Sequence, residues 1–496
     1  MGWHYAALED RFRRISGIEG ALSILHWDTA VVMPRAASAS RGDQLATLKR
    51  VAHDMLTAEE TGELIAAATE EAELDAWQAA NLREMQREYR HARAMEPALV
   101  EALTRATTKS EMVWREARAK ADFPMLRADL EEVVRLTREA ATVTGAALGL
   151  PAYDALLDIY QPDLRDEVVA PLFDELAAVL PGIADALIAR SRPAVLPKGP
   201  FPLAEQKALG KRLMTQLGFD FEAGRLDEST HPFCGGTPQD IRITTRYRED
   251  EVASALMGVL HETGHALYEA GLPRQWLGQP VGNARGIAVH ESQSLLMEMQ
   301  ACRSPAFIGY LGGELRRTFG DDPAWATDNL VRLYHKVERS LIRVDADEVT
   351  YPLHVILRWR LERALIAGDL AVADLPTAWN DKYQEYLGVV PSTDADGVLQ
   401  DIHWPAGLFG YFPTYSLGNL AAAQFYEQAN CDLGGMPALV AQGQFAPLLK
   451  WLQDRVHRHG RCYTPAELVE YATHAPLSHQ PLMRHLRDKL VPLYEL

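Results

Sequence analysis

His261 and His265, with Glu262 directly after the first, constrain this chain more than any other feature. Residues four apart on an α-helix lie one above the other, so both imidazoles can turn to one ion if the segment is helical. Glu262 is rotated about 100° from His261 at roughly 3.6 residues per turn. That offset suits a carboxylate that handles a water beside an ion better than one that ligates the ion. The flanking residues agree with a helix. Residues 251–260 are rich in helix formers and apolar on one side, residues 266–270 continue the pattern, and Gly271 with Pro273 reads as a stop. Gly264 costs about 1 kcal/mol relative to Ala inside such a helix. A residue so small there lets another backbone or a substrate come close.

The spelling is H-E-x-x-H, a zinc-peptidase pattern. A catalytic zinc needs a third protein ligand and an open position. The version with a third histidine, H-E-x-x-H-x-x-G-x-x-H, is excluded, because Tyr268 and Gly271 stand where its glycine and last histidine belong. The other source is a following helix. Residues 286–298 predict one, beyond a Gly/Pro-rich connection from Gly271 to Gly286 whose length suits an antiparallel return. Glu291 lies there, 26 residues after His265, and His290, Glu298 and Glu269 compete with it. Glu269 is a further turn along the first helix and reaches the same ion poorly. Spacing alone leaves His290 and Glu298 open.

The rest of the chain predicts a mainly α protein. Amphipathic stretches run from Asp10 to Arg190, residues 58–94 and 163–190 among them, and residues 241–247 alternate in the strand manner just before the motif helix. A small sheet beside that helix is therefore expected. The loop 191–200 separates a helical flank, about residues 1–190, from a catalytic half, about residues 201–496, within one domain spanning 1–496. At 496 residues, 47% hydrophobic and 24% charged, the composition is that of a globular enzyme. No apolar run reaches the roughly 18 residues of a membrane span, and residues 1–14 lack an apolar signal core. Cys234, Cys302, Cys431 and Cys462 are scattered without C-x-x-C spacing, as reduced thiols of a cytoplasmic protein would be. A net charge of −18 disfavours nucleic acid and anionic membranes as partners.

Three further clusters stand out: His231-Pro232-Phe233 followed by Asp240-Ile241-Arg242-Ile243-Thr244; Ile342-Arg343-Val344-Asp345-Ala346-Asp347; and Gly397-Val398-Leu399-Gln400-Asp401-Ile402-His403-Trp404, with Tyr411 and Tyr415 close behind. Taken singly, each has an ordinary structural reading as an ion-pair network or a core histidine. With the two helices, their order and spelling resemble the thermostable carboxypeptidase Taq family of metallocarboxypeptidases. That family's motifs are H-P-F, D-x-R-x-T, H-E-x-x-H, H-E-S-Q, I-R-x-x-A-D and G-x-x-Q-D-x-H-W, and all six occur here in order between His231 and Trp404. Leu25-His26-Trp27-Asp28, Met33-Pro34 and Arg41 resemble the family's opening segment, which extends the likeness to most of the chain.

The resemblance implies that Glu291, the Glu of H-E-S-Q, completes a site with His261 and His265 for one divalent metal, zinc or cobalt. It implies a large, mostly helical metallopeptidase with a short sheet and a deep central groove, forming a homodimer. The implied reaction removes single residues from peptide carboxyl ends with broad preference, Pro at the end being resisted. In such a site Glu262 serves as general base. Tyr415, Tyr411, His231 and His403 are the candidate donors to the tetrahedral oxyanion, with Tyr415 preferred because similar metallopeptidases carry a phenol in this region. The I-R-x-x-A-D motif gives Arg343 the substrate's terminal carboxylate, for which a planar guanidinium is suited; Arg242 assists there or braces the fold. Asp345, Asp347 and Asp401 are expected to orient the arginine or a metal-bound histidine. An oligopeptidase that cuts internally and a non-catalytic metal-stabilised binding protein are the competing function classes.

Overall fold

Local signals explain where the helices begin. In the computed structural model, which describes residues 2–71 and 73–496, Asp122 accepts from the Met125 N–H at the head of Phe123–Leu148. Ser304 does the same for Phe307 at the head of Pro305–Phe319. Thr464 and Glu467 form a reciprocal capping box on Pro465–Thr473. The amphipathic stretch expected over residues 58–94 is divided into two helices, Glu59–Thr69 and Ala76–Ala92. The division has a cause in the sequence: Asp75 and Gln78 exchange side-chain-to-backbone hydrogen bonds of 2.9 and 3.0 Å, which opens a new helix. Residues 163–190 form the expected helix, Asp166–Ile188. Among the described residues no single helix is long and apolar enough to cross a membrane.

The chain divides into two compact units, each assembled from separated stretches. One comprises Met1–Ala92, Pro193–Tyr334 and Gly418–Leu477; the other comprises Arg93–Arg192, His335–Leu417 and Ser478–Leu496. Within the first unit, Tyr5, Leu8 and Phe12 of the helix Trp3–Val31 pack on Leu64, Ile65, Leu82 and Met85 from the two helices just described. Within the second, Phe173 meets the face of Trp359 edge-on at 5.2 Å, and Trp379 stacks on Tyr383 at 5.5 Å. Burial of one such side chain stabilises the fold by about 1.5–3 kcal/mol.

The sheet belongs to the first unit. Gly224–Glu228 (β1), Phe233–Thr237 (β2) and Asp240–Thr245 (β3) lie in the order β1-β3-β2, with β1 parallel and β2 antiparallel to β3. The strand expected over residues 241–247 is thus present, displaced slightly toward the amino end. Its alternation has the predicted consequence. Ile241 and Ile243 turn to one face and join a buried cluster with Val259 and Ala266. Both partners belong to the motif helix, Ala253–Ala270, so the sheet lies along the element that carries the two histidines.

Candidate metal centre and arginine cluster

The motif segment is helical, as its spacing requires, and the helix ends at Gly271. Gly264 and Gly271 are small for different neighbours. A Cβ at Gly264 would stand 2.5 Å from the Gln293 carbonyl oxygen and 2.6 Å from the Ser294 Cα, while one at Gly271 would meet the His457 ring. The close approach foreseen at Gly264 is therefore made by the backbone of the second helix, Ile287–Leu295. On the opposite side a Cβ at Gly418 would come within 2.8 Å of the Glu291 Cβ.

This contact brings three side chains together. His261, His265 and Glu291 place one ligand atom each within 4.8 Å of one another, and His265 Nε2 lies 3.6 Å from Glu291 Oε2. Two imidazole nitrogens and a carboxylate oxygen form a donor set suited to a catalytic zinc, and the residues present fit such an ion. The competitors that spacing left open are engaged elsewhere. Glu269 binds His290 Nε2 at 2.8 Å, His290 presents its Nδ1 to His265 Nδ1 at 2.7 Å, and Glu298 Oε2 meets His261 Nδ1 at 2.9 Å. His265 Nδ1 also faces the His290 carbonyl at 3.1 Å, so both ligand rings keep Nε2 for an ion.

Electrostatics match the geometry. Burial opposes charge on His261, yet the Glu298 hydrogen bond and the Glu291 charge outweigh it and raise this imidazole to about 10. Burial and the neighbouring imidazoles push His265 well below its usual value. Burial pushes Glu262 up to about 7, with Glu291 adding to the rise and His261 opposing it. The carboxylates thus favour positive charge between the rings, and burial holds the Glu262 carboxyl above the usual carboxylate range.

Other predicted residues of the first unit are placed differently. Arg242 forks onto Asp240 at 3.0 and 2.8 Å and lies over the Trp27 ring at 4.3 Å, bracing β3 against the helix of the opening segment. Asp28 of that segment pairs with Arg41 at 2.6 Å. The His231 ring is exposed, and the hydrogen bonds this residue makes are accepted by its backbone carbonyl from the Ser229 and Thr244 hydroxyls.

The second unit gathers the remaining candidates. Arg343, buried, donates from Nε and a terminal nitrogen to Asp401 Oδ1 at 3.0 and 2.9 Å, and its backbone N–H donates to Gln400. Arg358, wholly buried, takes Asp401 Oδ2 at 2.6 Å. Burial would raise Asp401, but the two guanidiniums outweigh it and hold this carboxyl well below the usual range. Asp401 is therefore the aspartate that orients Arg343. Asp347 instead accepts from the Val349 and Thr350 N–H groups at the head of the helix Tyr351–Ala367, and Asp345 is exposed. His403 Nε2 stands 3.2 Å from the Tyr415 hydroxyl, and Tyr411 packs on Tyr415 with ring centres 5.2 Å apart. The Arg343 guanidinium lies 4.9 Å over the Tyr415 ring. Burial lowers His403 to about 4, so it is neutral near pH 7.

Sequence reasoning missed Arg358 and Glu362. Glu362, also wholly buried, accepts from the Tyr153 hydroxyl, the Trp404 indole at 3.2 Å and the Gly410 N–H at 3.2 Å, fastening the segment that joins His403 to Tyr411. Neither residue carries a sequence signal, since charged positions in a helix read as surface.

The chain matches the family described as Carboxypeptidase Taq (M32) metallopeptidase over residues 7–490. Thermostable carboxypeptidase 1 of Thermus thermophilus is 40% identical, the match covering 96% of this chain and 95% of that one. Carboxypeptidase 1 of Bacillus subtilis is 34% identical, with 98% of each chain covered. Among solved structures, metallocarboxypeptidase 1 of Trypanosoma cruzi superimposes with a TM-score of 0.96 at 38% identity, covering 98% of this chain and 99% of that one. The M32 carboxypeptidase of Deinococcus radiodurans R1 does so with 0.95 at 36% identity and full coverage of both (100% and 100%).

Proposed function

The chain belongs to the carboxypeptidase Taq (M32) family of metallopeptidases, and we propose that it releases amino acids one at a time from peptide carboxyl ends, with broad preference and Pro at the end disfavoured. It is a metal-dependent peptide hydrolase. The observation that supports metal-assisted hydrolysis is the placement of Glu262 beside the cluster of His261, His265 and Glu291; release from the carboxyl end follows from the family likeness. Zinc suits the donor set best, and cobalt is the second choice. When bound, such an ion supplies Lewis acidity toward water and toward the scissile carbonyl.

Glu262 takes the proton of the attacking water and delivers a proton to the departing amine. Tyr415 donates its phenol to the oxyanion, with His403 Nε2 fixing that hydroxyl and Tyr411 packed beside it. His231, exposed and bonded through its backbone, has the least support among the donor candidates. Arg343 receives the terminal carboxylate. Its support is the surplus of two buried guanidiniums over one carboxylate at Arg343, Arg358 and Asp401. The same reading treats residues 1–496 as one catalytic domain, working as a cytoplasmic homodimer without nucleic acid or membrane partners.

Matched peptides with free and amidated carboxyl ends test this, with products followed by mass spectrometry. The free peptides should shorten one residue at a time, and Arg343→Met should raise KM for them by about 10- to 100-fold, the loss of a charged hydrogen bond. Efficient cleavage of the amidated peptides with release of di- or tripeptides would instead identify an oligopeptidase.

A further inference from the structure

The second helix does not end where its α-helical part does. After Leu295 it continues as a π-helical stretch, Leu296–Cys302, in which the Arg303 N–H donates to the Glu298 carbonyl, five residues back, at 2.8 Å. Such turns are rare and concentrate at functional positions. On a regular α-helix, residues five apart stand about 140° apart around the axis, so their side chains diverge. Here the wider turn brings them onto one side, and Arg303 grips Glu298 Oε1 at 2.6 Å. The other carboxylate oxygen is the one that faces His261 Nδ1 at 2.9 Å. Glu298 is buried, and its two oxygens are divided between one cation and one imidazole. On His265 no carboxylate meets Nδ1 directly; that atom faces the His290 carbonyl at 3.1 Å and the His290 ring at 2.7 Å.

We propose that Glu298 is a positioning residue of the metal centre: held by Arg303 across the π-turn, it keeps His261 in the tautomer with Nδ1–H donating and Nε2 facing the ion. The role rests on His261, His265 and Glu291 being the ligands. A carboxylate behind an imidazole makes the far nitrogen a better donor, and removal of such partners typically weakens metal binding about 10- to 100-fold. His261 then differs from His265 in having a carboxylate directly on its Nδ1.

Zinc affinity, measured by competition with a chromogenic chelator on the full chain, tests the role in Glu298→Gln, Arg303→Met, the double variant and Glu291→Gln. Glu298→Gln should bind zinc about 10- to 100-fold more weakly, and its cobalt form should show a shifted visible spectrum. Metal-free thermal unfolding should remain within a few degrees of the parent, which separates positioning from folding. Arg303→Met should weaken zinc by less, and the double variant no more than Glu298→Gln alone, because Arg303 acts through Glu298. If Glu298→Gln does not fold, Arg303→Met carries the same affinity and spectral test. Parental zinc affinity in Glu298→Gln, with Glu291→Gln strongly impaired, would overturn the positioning role alone. Parental affinity in Glu291→Gln would overturn the ligand assignment and this role with it.

Discussion

Two clusters of buried charge, one in each unit, are built with opposite imbalance. Around His261 and His265 stand Glu262, Glu291 and Glu298, with Arg303 as the cation on this face. Around Asp401 stand Arg343 and Arg358. The first is rich in carboxylate, enough to raise His261 to about 10, and the second is rich in guanidinium. Buried charge is costly unless it is paired, so under the proposed function a cation would complete the first cluster and an anion the second. A divalent metal and a peptide carboxylate have those charges. Neither cluster is understood from stability alone.

The largest effect that would break this contrast lies at Glu262. Glu262→Gln should keep its metal, measured as zinc per chain, and lose about 10²- to 10⁴-fold in kcat, the usual weight of a positioned base. Turnover near the parental rate with zinc in place would remove Glu262 from the role of base. The next effect compares one carboxylate from each cluster in metal-free protein unfolded by urea. Asp401→Asn strands two buried guanidiniums and should destabilise by about 3–5 kcal/mol. Glu291→Gln removes a carboxylate that attracts His261 but repels Glu262, and should destabilise the metal-free protein by less than Asp401→Asn does. Equal losses would mean that the imbalance carries no functional meaning.

How much of this was legible in the sequence differs between the same two regions. The motif helix could be read because spacing, helix formers and the stop at Gly271 all agree. Its third ligand could not be read from spacing, since Glu269, His290, Glu291 and Glu298 all follow the motif; the return path after Gly271 decides among them. The resemblance selected Glu291, and the structure gives the other three their own partners. The break near Asp75 was available in the pair Asp75 and Gln78 but is easily lost within a long charged stretch. The arginine cluster was half legible. Arg343 and Asp401 fall in spelled motifs, whereas Arg358 sits in a helix whose charged positions look solvated, and it is buried all the same.

The smallest effect is a pH dependence that should separate the clusters in time as acid is added. His457 lies against the second helix, its Nε2 2.9 Å from the Gln293 amide oxygen. Burial, with help from His290, lowers it to about 3. The folded form therefore keeps it neutral, while the unfolded chain protonates it near pH 6.5. Its contribution is complete above that pH and declines as the pH falls toward 3, by at most about 1.4 kcal/mol per pH unit. Asp401 is depressed as a carboxylate, so its contribution persists down to about pH 3.9 and is lost only below it. Unfolding measured between pH 7 and 4 should become less steep in His457→Gln, and the loss due to Asp401 itself should appear only below about pH 3.9.

Gly264 and Gly418 have a joint consequence for the choice of ion. The helix carrying Glu291 is met at two points by positions that have no side chain, so main chain rather than flexible side chain sets its distance from those neighbours. Such a helix cannot slide outward to suit a wider ion or inward for a narrower one. An ion held there would be fitted by turning side chains, the Glu291 carboxylate among them, rather than by moving the helix. The backbone around this centre should therefore stay in place when one metal is exchanged for another.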